Sequence, residues 1–474
     1  MLLRRERAEL EVELGCRVEF VDEASDGRTA ALVLVGPARL NPSLRRFLLH
    51  SGRRAAETPH VVIDRAGAVV VLDGPGMQEV ITAFQLLRTA IQMEQTETHH
   101  REPASARDTL DLIDQEVRAT YPAFPLRGID WSKALQAHQP DLDLNGADLP
   151  SLQRLFADLH DAHSWARAEH INARLPYRVW ASPDAAHLVH VPIWSPGWKL
   201  GVRAGDALIS NRIHQWWERT SATPRTRPLM TGYRMLSGRM GMALTMRVQT
   251  ANDEVITWRE LFPPDPWKTP MSARILETGT GYLRIRGWQA SDAWHAGMEA
   301  AIRIVEPAAR LLVDLRGNVG GSLIAAQDFR DRFLDGPTTL GTIRFSRGDG
   351  TLSDHMPIAG EPPLHGWRWT KPVRFLIDRQ TYSASEDAIL GLQGLPQVQI
   401  VGERSGGGSG RARTLAVGEG RSISISTALT FDRHGQCIEG YGIPIDIALP
   451  IERSFLDPRA MPANAVLDLA DRGW

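Results

Sequence analysis

The chain has 474 residues, of which 43% are hydrophobic and 23% are charged, and its formal net charge is −2. This length predicts about three domains, and a charge near zero gives no reason to expect nucleic acid or a membrane as a partner. Two cysteines, Cys16 and Cys437, are too few for a disulfide framework. No apolar run is long enough for a transmembrane helix. The first residues, MLLRRERAELEVELG, alternate in charge and lack an apolar core, so we expect no secretory leader and a cytoplasmic protein.

Residues 1–95 predict a small α+β domain of unknown role. Apolar residues at 30–35 and 69–72 indicate strands, and 80–93 has the apolar spacing of an amphipathic helix. No motif marks this part of the chain. A docking or dimerisation module and a structural appendage are both open interpretations, and so is assembly into a homo-oligomer.

A polar linker at 94–106 leads into a predicted helical segment at 105–170. Its clearest helices are predicted at 109–120 and 149–160, where apolar residues recur on one face. The segment ends in the sequence LHDAHSWAR, which contains His163. The histidines and cysteines of the chain show no metal-ligand spacing, so we expect no metal and no cofactor.

Strands and helices alternate in the C-terminal part of the chain, as they do in parallel α/β folds. Continuous apolar runs are typical of strands that are buried on both faces. The predicted strands are 281–285, 310–315, 373–377 and 397–401, and the predicted helices are 291–304 and 322–334. Ser383 lies at the bend between the third of these strands and a further helix. Such a bend presents a side chain outward and points helix amides at it, which suits a nucleophile.

Four motifs in this part resemble those of the C-terminal processing peptidases, the tail-specific and tricorn-like serine proteases. They occur in the family's order and are VDLRGNVGG, TYSASED, IVGERSGGG and IEGYGIPIDI. The resemblance implies a multidomain α/β protein whose catalytic domain, residues 271–455, is a βαβ spiral of the crotonase or ClpP type. It also implies a PDZ-like β domain at 173–264, because SPGWKLGVRAGDALIS resembles the helix and Gly-x-x-x-Gly-Asp turn of that module.

The PDZ resemblance implies residues that bind a peptide. A PDZ domain adds a peptide strand to its sheet edge and holds the free carboxylate with backbone amides. The matching residues are Leu175, Tyr177, Arg178 and Val179. The loop departs from the usual glycine-rich form, and its proline removes one donor. The polar stretch 216–227 is longer than in the module, and we interpret it as a surface insertion.

The resemblance implies that Ser383 is the nucleophile. The alternative role is that of a helix cap, for which Ser385 is better placed. The same resemblance implies that backbone amides of Gly320 and Ala384 stabilise the oxyanion, with Gly321 as an adjacent candidate. Fixed backbone dipoles suit this purpose because they need no reorganisation.

The general base departs from both family patterns. One branch has a lysine at the position of Gly408, and the tricorn-like branch has a histidine at the position of Arg284, whose guanidinium stays protonated. Glu439 matches a catalytic glutamate of the tricorn-like branch, and we expect it to orient a histidine from elsewhere. We rank His163 first as that histidine. The other candidates are His434, His295 and His355.

The sequence therefore predicts a serine endopeptidase that forms an acyl-enzyme at Ser383. The general base is left open, with His163 favoured. A second hypothesis is a catalytically weak or inactive relative that acts as a peptide-binding scaffold. A third is an enzyme that acts on one dedicated peptide. All three imply a peptide or protein partner.

Overall fold

The structure is a computed structural model that describes residues 105–263, 270–348, 350–363, 366–408 and 410–474, together with four strands nearer the N-terminus. The chain divides into two compact units, Met1–His100 and Arg101–Trp474. None of the described helices is both long and apolar enough to cross a membrane.

The described part of the first unit is one antiparallel sheet. Its strands are β1 (Arg17–Val21), β2 (Ala30–Gly36), β3 (Val61–Asp64) and β4 (Gly67–Gly74). They pair in the order β1-β2-β4-β3. The strands predicted at 30–35 and 69–72 are confirmed within β2 and β4. The helix predicted at 80–93 lies outside the described residues.

The second unit begins with helices that pack around one apolar cluster. They are α1 (Ala106–Thr120), α2 (Phe124–Arg127), α3 (Trp131–Asn145) and α4 (Leu149–Ala157). Side-chain oxygens of Ser105, Asp130 and Asp148 accept backbone N–H groups at the starts of α1, α3 and α4. The expected helical segment ends before β5 (Trp165–Ala168), which is a strand.

A region built around a five-stranded sheet follows. Its elements, in chain order, are β6 (Ala173–Arg174), β7 (Arg178–Ala181), β8 (Ala186–His190), α5 (Pro196–Lys199), β9 (Ala207–Leu208), α6 (Ile213–Glu218), α7 (Arg227–Met235), β10 (Ser237–Gly238), β11 (Ala243–Gln249) and β12 (Val255–Leu261). The strands of the sheet pair in the order β12-β11-β9-β8-β7. Helix α7 packs directly on the edge strand β7, because a Cβ built on Gly232 would lie only 2.2 Å from the carbonyl oxygen of Val179.

The largest sheet has the order β13-β14-β15-β18-β19-β23 and is parallel from β14 onward. Its strands and crossover helices are β13 (Met271–Ile275), β14 (Gly281–Ile285), α8 (Asp292–Val305), β15 (Leu311–Asp314), α9 (Leu323–Asp331), β18 (Val373–Ile377), α10 (Ala384–Asp387), β19 (Val398–Gly402) and β23 (Ile447–Ala448). Every residue of β15 and β18 is buried, as their continuous apolar runs predict.

Two smaller sheets and a pair of helices complete this unit. One sheet has the order β17-β16-β22, and the other has the order β20-β21-β5. The remaining elements are β16 (Thr338–Phe345), β17 (Met356–Gly360), β20 (Arg413–Ala416), β21 (Arg421–Ile425), β22 (Ala428–Asp432), α11 (Ile451–Leu456) and α12 (Ala463–Asp471). The antiparallel pairing of β5 with β21 joins the end of the helical segment to the C-terminal part of the chain.

The stretch at 216–227 is not a surface insertion, and that expectation was wrong. It contains the end of α6 and the start of α7, and the residues between them are largely buried. Ser221 explains the burial, because its hydroxyl donates to the backbone carbonyl of Asp161 at 2.6 Å. This polar stretch therefore supports the loop that carries His163.

Candidate active site

Ser383 lies where the sheet geometry brings two loops together. Strands β15 and β18 are parallel neighbours, so the loops that follow them meet at the same edge of the sheet. The amide of Tyr382 donates to the carbonyl of Asn318 at 3.1 Å and ties the two loops to each other. Ser383 has φ 58° and ψ −126°, a backbone conformation that is unfavourable for an L-residue and is typical of strained functional bends.

The Gly-Gly turn after β15 packs against this bend. A Cβ on Gly320 would lie 2.8 Å from the Cβ of Ser383 and 3.1 Å from the amide nitrogen of Ala384. The Gly320 amide itself donates to the side chain of Asn318 at 3.0 Å. Gly321 pairs with Trp288 in a short parallel bridge, and a Cβ on it would lie 2.2 Å from the Trp288 carbonyl oxygen. The structure thus brings Gly320 and Ala384 together at Ser383, whereas Gly321 packs against Trp288.

Gly320→Ala is expected to disturb this turn strongly. Its φ of 109° disfavours any side chain, and the added methyl group would collide with Ser383. We expect a lower melting temperature, measured by thermal unfolding. Gly336→Ala is the matched control, because a Cβ there meets nothing within 4 Å. Equal behaviour of the two variants would contradict the close packing at Gly320.

His163 is the imidazole that the fold brings to Ser383. Its Nε2 lies 2.8 Å from the Oγ of Ser383, although the two residues are 220 positions apart in the chain. The ring packs on Tyr382 with a centroid distance of 4.9 Å. Its Nδ1 is buried and has no hydrogen-bond partner among the described residues. A neutral imidazole that accepts from Ser383 at Nε2 must carry its proton on this second nitrogen.

The loop that carries His163 is held by the buried carboxylate of Asp161. This carboxylate accepts from the His163 amide at 2.9 Å, from the Ser164 hydroxyl at 2.8 Å and from the Ser426 hydroxyl. Burial lowers the pKa of His163, and the negative charge of Asp161 acts in the opposite direction. The ring is therefore neutral at neutral pH, which is the state that a base requires.

Glu386 holds the bend and the glycine-rich loop together. Its buried carboxylate accepts from the amides of Ser383, Gly407 and Gly408 and from the hydroxyl of Ser405. Burial raises the pKa of Glu386 to about 8, whereas these hydrogen bonds lower it. This carboxylate belongs to the sequence TYSASED, yet the sequence pattern gave no sign of its partners.

Gly408 cannot carry a side chain in this structure. A Cβ there would lie 1.9 Å from the Cζ of Tyr382, so the ring of Tyr382 fills the space at the position for which the resemblance implies a lysine in one branch of the family. The second family position, Arg284, forms an ion pair with Asp314 and donates to the carbonyl of Arg316. Neither Gly408 nor Arg284 can therefore act as the general base.

The partner that the structure gives Glu439 is Arg127, whereas the Nδ1 of His163, which we expected Glu439 to orient, accepts or donates no hydrogen bond among the described residues. The buried carboxylate of Glu439 forms an ion pair with Arg127, which also donates to the carbonyl of His160. The pairing follows from α2, which places Arg127 beside the hairpin after β22. Sequence reasoning missed Arg127, whose partner lies 312 positions away.

The other histidines considered as general bases, and Ser385, have contacts that suit structural roles. The remaining histidines contact neighbours elsewhere: His295 packs on Trp294, His355 is within hydrogen-bond distance of Thr342, and His434 is exposed in a turn. Ser385 is not the cap, contrary to expectation. Ser383 precedes α10, and the hydroxyl of Ser385 accepts from the indole of Trp288 at 2.8 Å.

The four residues expected to bind a peptide do not present their side chains to one. Leu175, Tyr177 and Val179 are buried, and the hydroxyl of Tyr177 donates to Glu260. Arg178 forms an ion pair with Asp378, which lies just after β18. Leu175, Tyr177 and Val179 are buried because they are part of the hydrophobic core that packs against the five-stranded sheet.

Among the described residues, no group of three or more His, Cys, Asp or Glu side chains could hold a metal ion. The geometry instead combines a hydroxyl, a neutral imidazole and a helix amide at one bend. This combination can activate a hydroxyl for attack on a carbonyl carbon and can stabilise the resulting oxyanion.

Part of the chain is similar to known peptidases. Residues 279–449 match the model of peptidase family S41. A carboxy-terminal-processing protease of Bartonella bacilliformis is 29% identical over 188 residues, which cover 37% of this chain and 39% of that protein. The chain thus spans less than half the length of this relative.

Two solved structures show the same fold at low identity. Mature CPAF complexed with lactacystin is 15% identical with a TM-score of 0.56, and the match covers 77% of this chain and 98% of that chain. The photosystem II D1 C-terminal processing protease is 16% identical with a TM-score of 0.51, and here the match covers 77% and 97%. Residues 279–449 of this chain are therefore similar to the domain of peptidase family S41.

Proposed function

We propose that the protein is a serine endopeptidase that forms an acyl-enzyme at Ser383, with His163 as general base. The observation that carries the proposal is the 2.8 Å distance between Nε2 of His163 and Oγ of Ser383. It occurs at a strained bend next to a Gly-Gly turn, in a region that matches the model of a peptidase family. From this site we infer peptide hydrolysis as the activity of the whole chain, and a peptide or protein as its substrate.

The reaction follows from these positions. The Ser383 oxygen bonds to the scissile carbonyl carbon while its proton moves to Nε2 of His163. The C–N bond then breaks, and His163 returns the proton to the leaving amine. A water molecule next attacks the ester carbon and gives a proton to His163, and the imidazole protonates Ser383 as the acyl group leaves.

The oxyanion is best served by the amide of Ala384. It is the first residue of α10, and first-turn amides have no acceptor within their helix. The Gly320 amide is the second donor that we propose. Its present acceptor is the side chain of Asn318, so the bound substrate carbonyl competes with that side chain for the proton.

Covalent labelling tests the proposal directly. The full-length chain is treated with a serine-directed phosphonate, digested and analysed by mass spectrometry. We expect a stoichiometric adduct on the peptide that contains Ser383. Absence of an adduct would overturn the proposal and favour a catalytically inactive peptide-binding scaffold.

The rate of hydrolysis is expected to rise with pH through a pKa below 6.5, the ordinary value for histidine. Only neutral His163 can accept a proton, and burial lowers its pKa. Asp161→Asn removes a negative charge that raises the pKa of His163, so we expect the acid limb of the pH-rate profile of this variant to shift to lower pH. Asp387→Asn, which removes a second such charge, shifts the limb in the same direction. A pH-rate profile of kcat/KM checks this, and an upward shift in both variants would contradict the assignment.

The finer domain assignment is also a proposal. We infer that residues 271–455 form a crotonase-like spiral, because parallel β14, β15, β18 and β19 are joined by helical crossovers. We infer a PDZ-like domain at 173–264, with α7 closed on β7. The loop between helix α4 and strand β5, which follows the helical segment, supplies the base. Residues 1–95 are a further domain without an assigned role, and the cytoplasmic location stays a prediction.

The choice between general and dedicated substrates is open to a simple measurement. Incubation with a panel of unrelated peptides, followed by mass spectrometry, distinguishes a broad endopeptidase from an enzyme for one peptide. The closed contact between Gly232 and Val179 supports the narrower alternative, since a peptide strand cannot join β7 unless α7 moves.

A further inference from the structure

A cavity of about 610 Å³ is lined at one end by His163 of the catalytic pair. His163, Tyr382 and Val319 line its inner end, and residues of β5, β6 and α7 line the remainder. Ligand pockets of enzymes commonly have this size. Its inner end is lined by His163, whose Nε2 lies 2.8 Å from the hydroxyl of Ser383, so a substrate segment bound there would lie close to the catalytic pair.

The charge of this cavity is one-sided. Four arginines line it, and the described lining contains no aspartate or glutamate. These arginines are Arg167, Arg174, Arg219 and Arg234. Arg167 and Arg174 lie over the rings of Trp165 and Tyr233, which positions them without neutralising them.

Arg234 is the most unusual of the four. Its Nε is buried without a hydrogen-bond partner, and its side chain forms no ion pair with the described residues. Burial lowers its pKa to about 10, and no carboxylate is near enough to oppose that effect. The Nε of Arg219 is likewise buried and without a partner, although the charges of Asp148 and Glu218 oppose the effect of burial on its pKa. A buried guanidinium such as that of Arg234 is normally paired with an anion.

We propose that this cavity is a substrate subsite for a peptide carboxylate, which Arg234 and Arg219 bind. The inference rests on the proposed peptidase function and adds the chemistry of the substrate. A carboxylate matches the forked donors of arginine and would supply the missing counter-charge. The group comes either from an aspartate or glutamate side chain or from the free C-terminus of the peptide.

Binding to the full-length Ser383→Ala variant tests the proposal without any need for turnover. Two pairs of fluorescent peptides are compared by anisotropy. One pair carries internal glutamate or glutamine and has an amidated end. The other pair is neutral and has a free or an amidated C-terminus. We expect the carboxylate to improve Kd by at least about tenfold in one pair. The responding pair identifies the source of the carboxylate.

Substitution of the arginines assigns the effect. Arg234→Met, in the same background, should abolish the advantage of the carboxylate peptide, and Arg219→Met should reduce it. Arg219→Met also serves if the first variant does not fold. Arg239→Met is the matched control, because Arg239 is exposed and does not line the cavity. Equal Kd values within both pairs, or a full advantage in Arg234→Met, would overturn the subsite. Such an outcome would leave the labelling of Ser383 unaffected, so the two proposals fail separately.

Discussion

Replacement of Ser383 by alanine is expected to lower kcat/KM by about 10⁴-fold or more and to abolish phosphonate labelling. The hydroxyl is the atom that bonds to the substrate, and no other described hydroxyl is within hydrogen-bond distance of Nε2 of His163. The measurement is hydrolysis of a cleaved peptide, followed by mass spectrometry of the labelled chain.

Ser385→Ala is the matched control for this substitution. Ser385 lies two positions away, and its hydroxyl is bonded to Trp288 rather than directed at the imidazole. We expect a lower melting temperature, because a buried indole N–H loses its acceptor. Labelling of Ser383 should continue. Retention of turnover in the Ser383→Ala variant, together with loss in Ser385→Ala, would move the nucleophile to Ser385.

Replacement of His163 by alanine is expected to lower kcat by about 10³-fold or more. Without an imidazole, the Ser383 hydroxyl has no described group at 2.8 Å to take its proton. The space left beside Tyr382 should admit free imidazole, so added imidazole is expected to restore part of the rate. Peptide hydrolysis assays of the variant with and without added imidazole measure the loss of kcat and its partial recovery.

His434→Ala is the comparison for His163→Ala. His434 is exposed and lies on the same hairpin as Glu439, which made it the second candidate from the sequence. Its loss should leave the rate within about twofold, as is common for exposed positions. If His434→Ala abolished hydrolysis and His163→Ala did not, the assignment of the base would be wrong.

The strands around Ser383 could be predicted from the sequence because their physics is local. The apolar run of β18 is buried on both faces, and its limits agree with the prediction. The bend at Ser383 and the Gly-Gly turn are short motifs as well. Parallel pairing of β15 with β18 then places them side by side.

The surroundings of His163 could not be predicted in the same way. Its partner is 220 residues away, and the Ser426 hydroxyl that bonds to Asp161 is 265 residues away. No local periodicity encodes such distances. The sequence favours His163 as the general base only through its position before the following domain. The role expected of Glu439 did not allow for Arg127, whose guanidinium competes for the same carboxylate.

The aromatic ring of Tyr382 against Gly408 limits how this site could have changed during evolution. A lysine at position 408 would require the ring to move, yet the ring also packs against His163 at a centroid distance of 4.9 Å. A substitution that introduces any side chain at position 408 therefore has to displace or replace the ring of Tyr382 at the same time, and the packing of His163 changes with it.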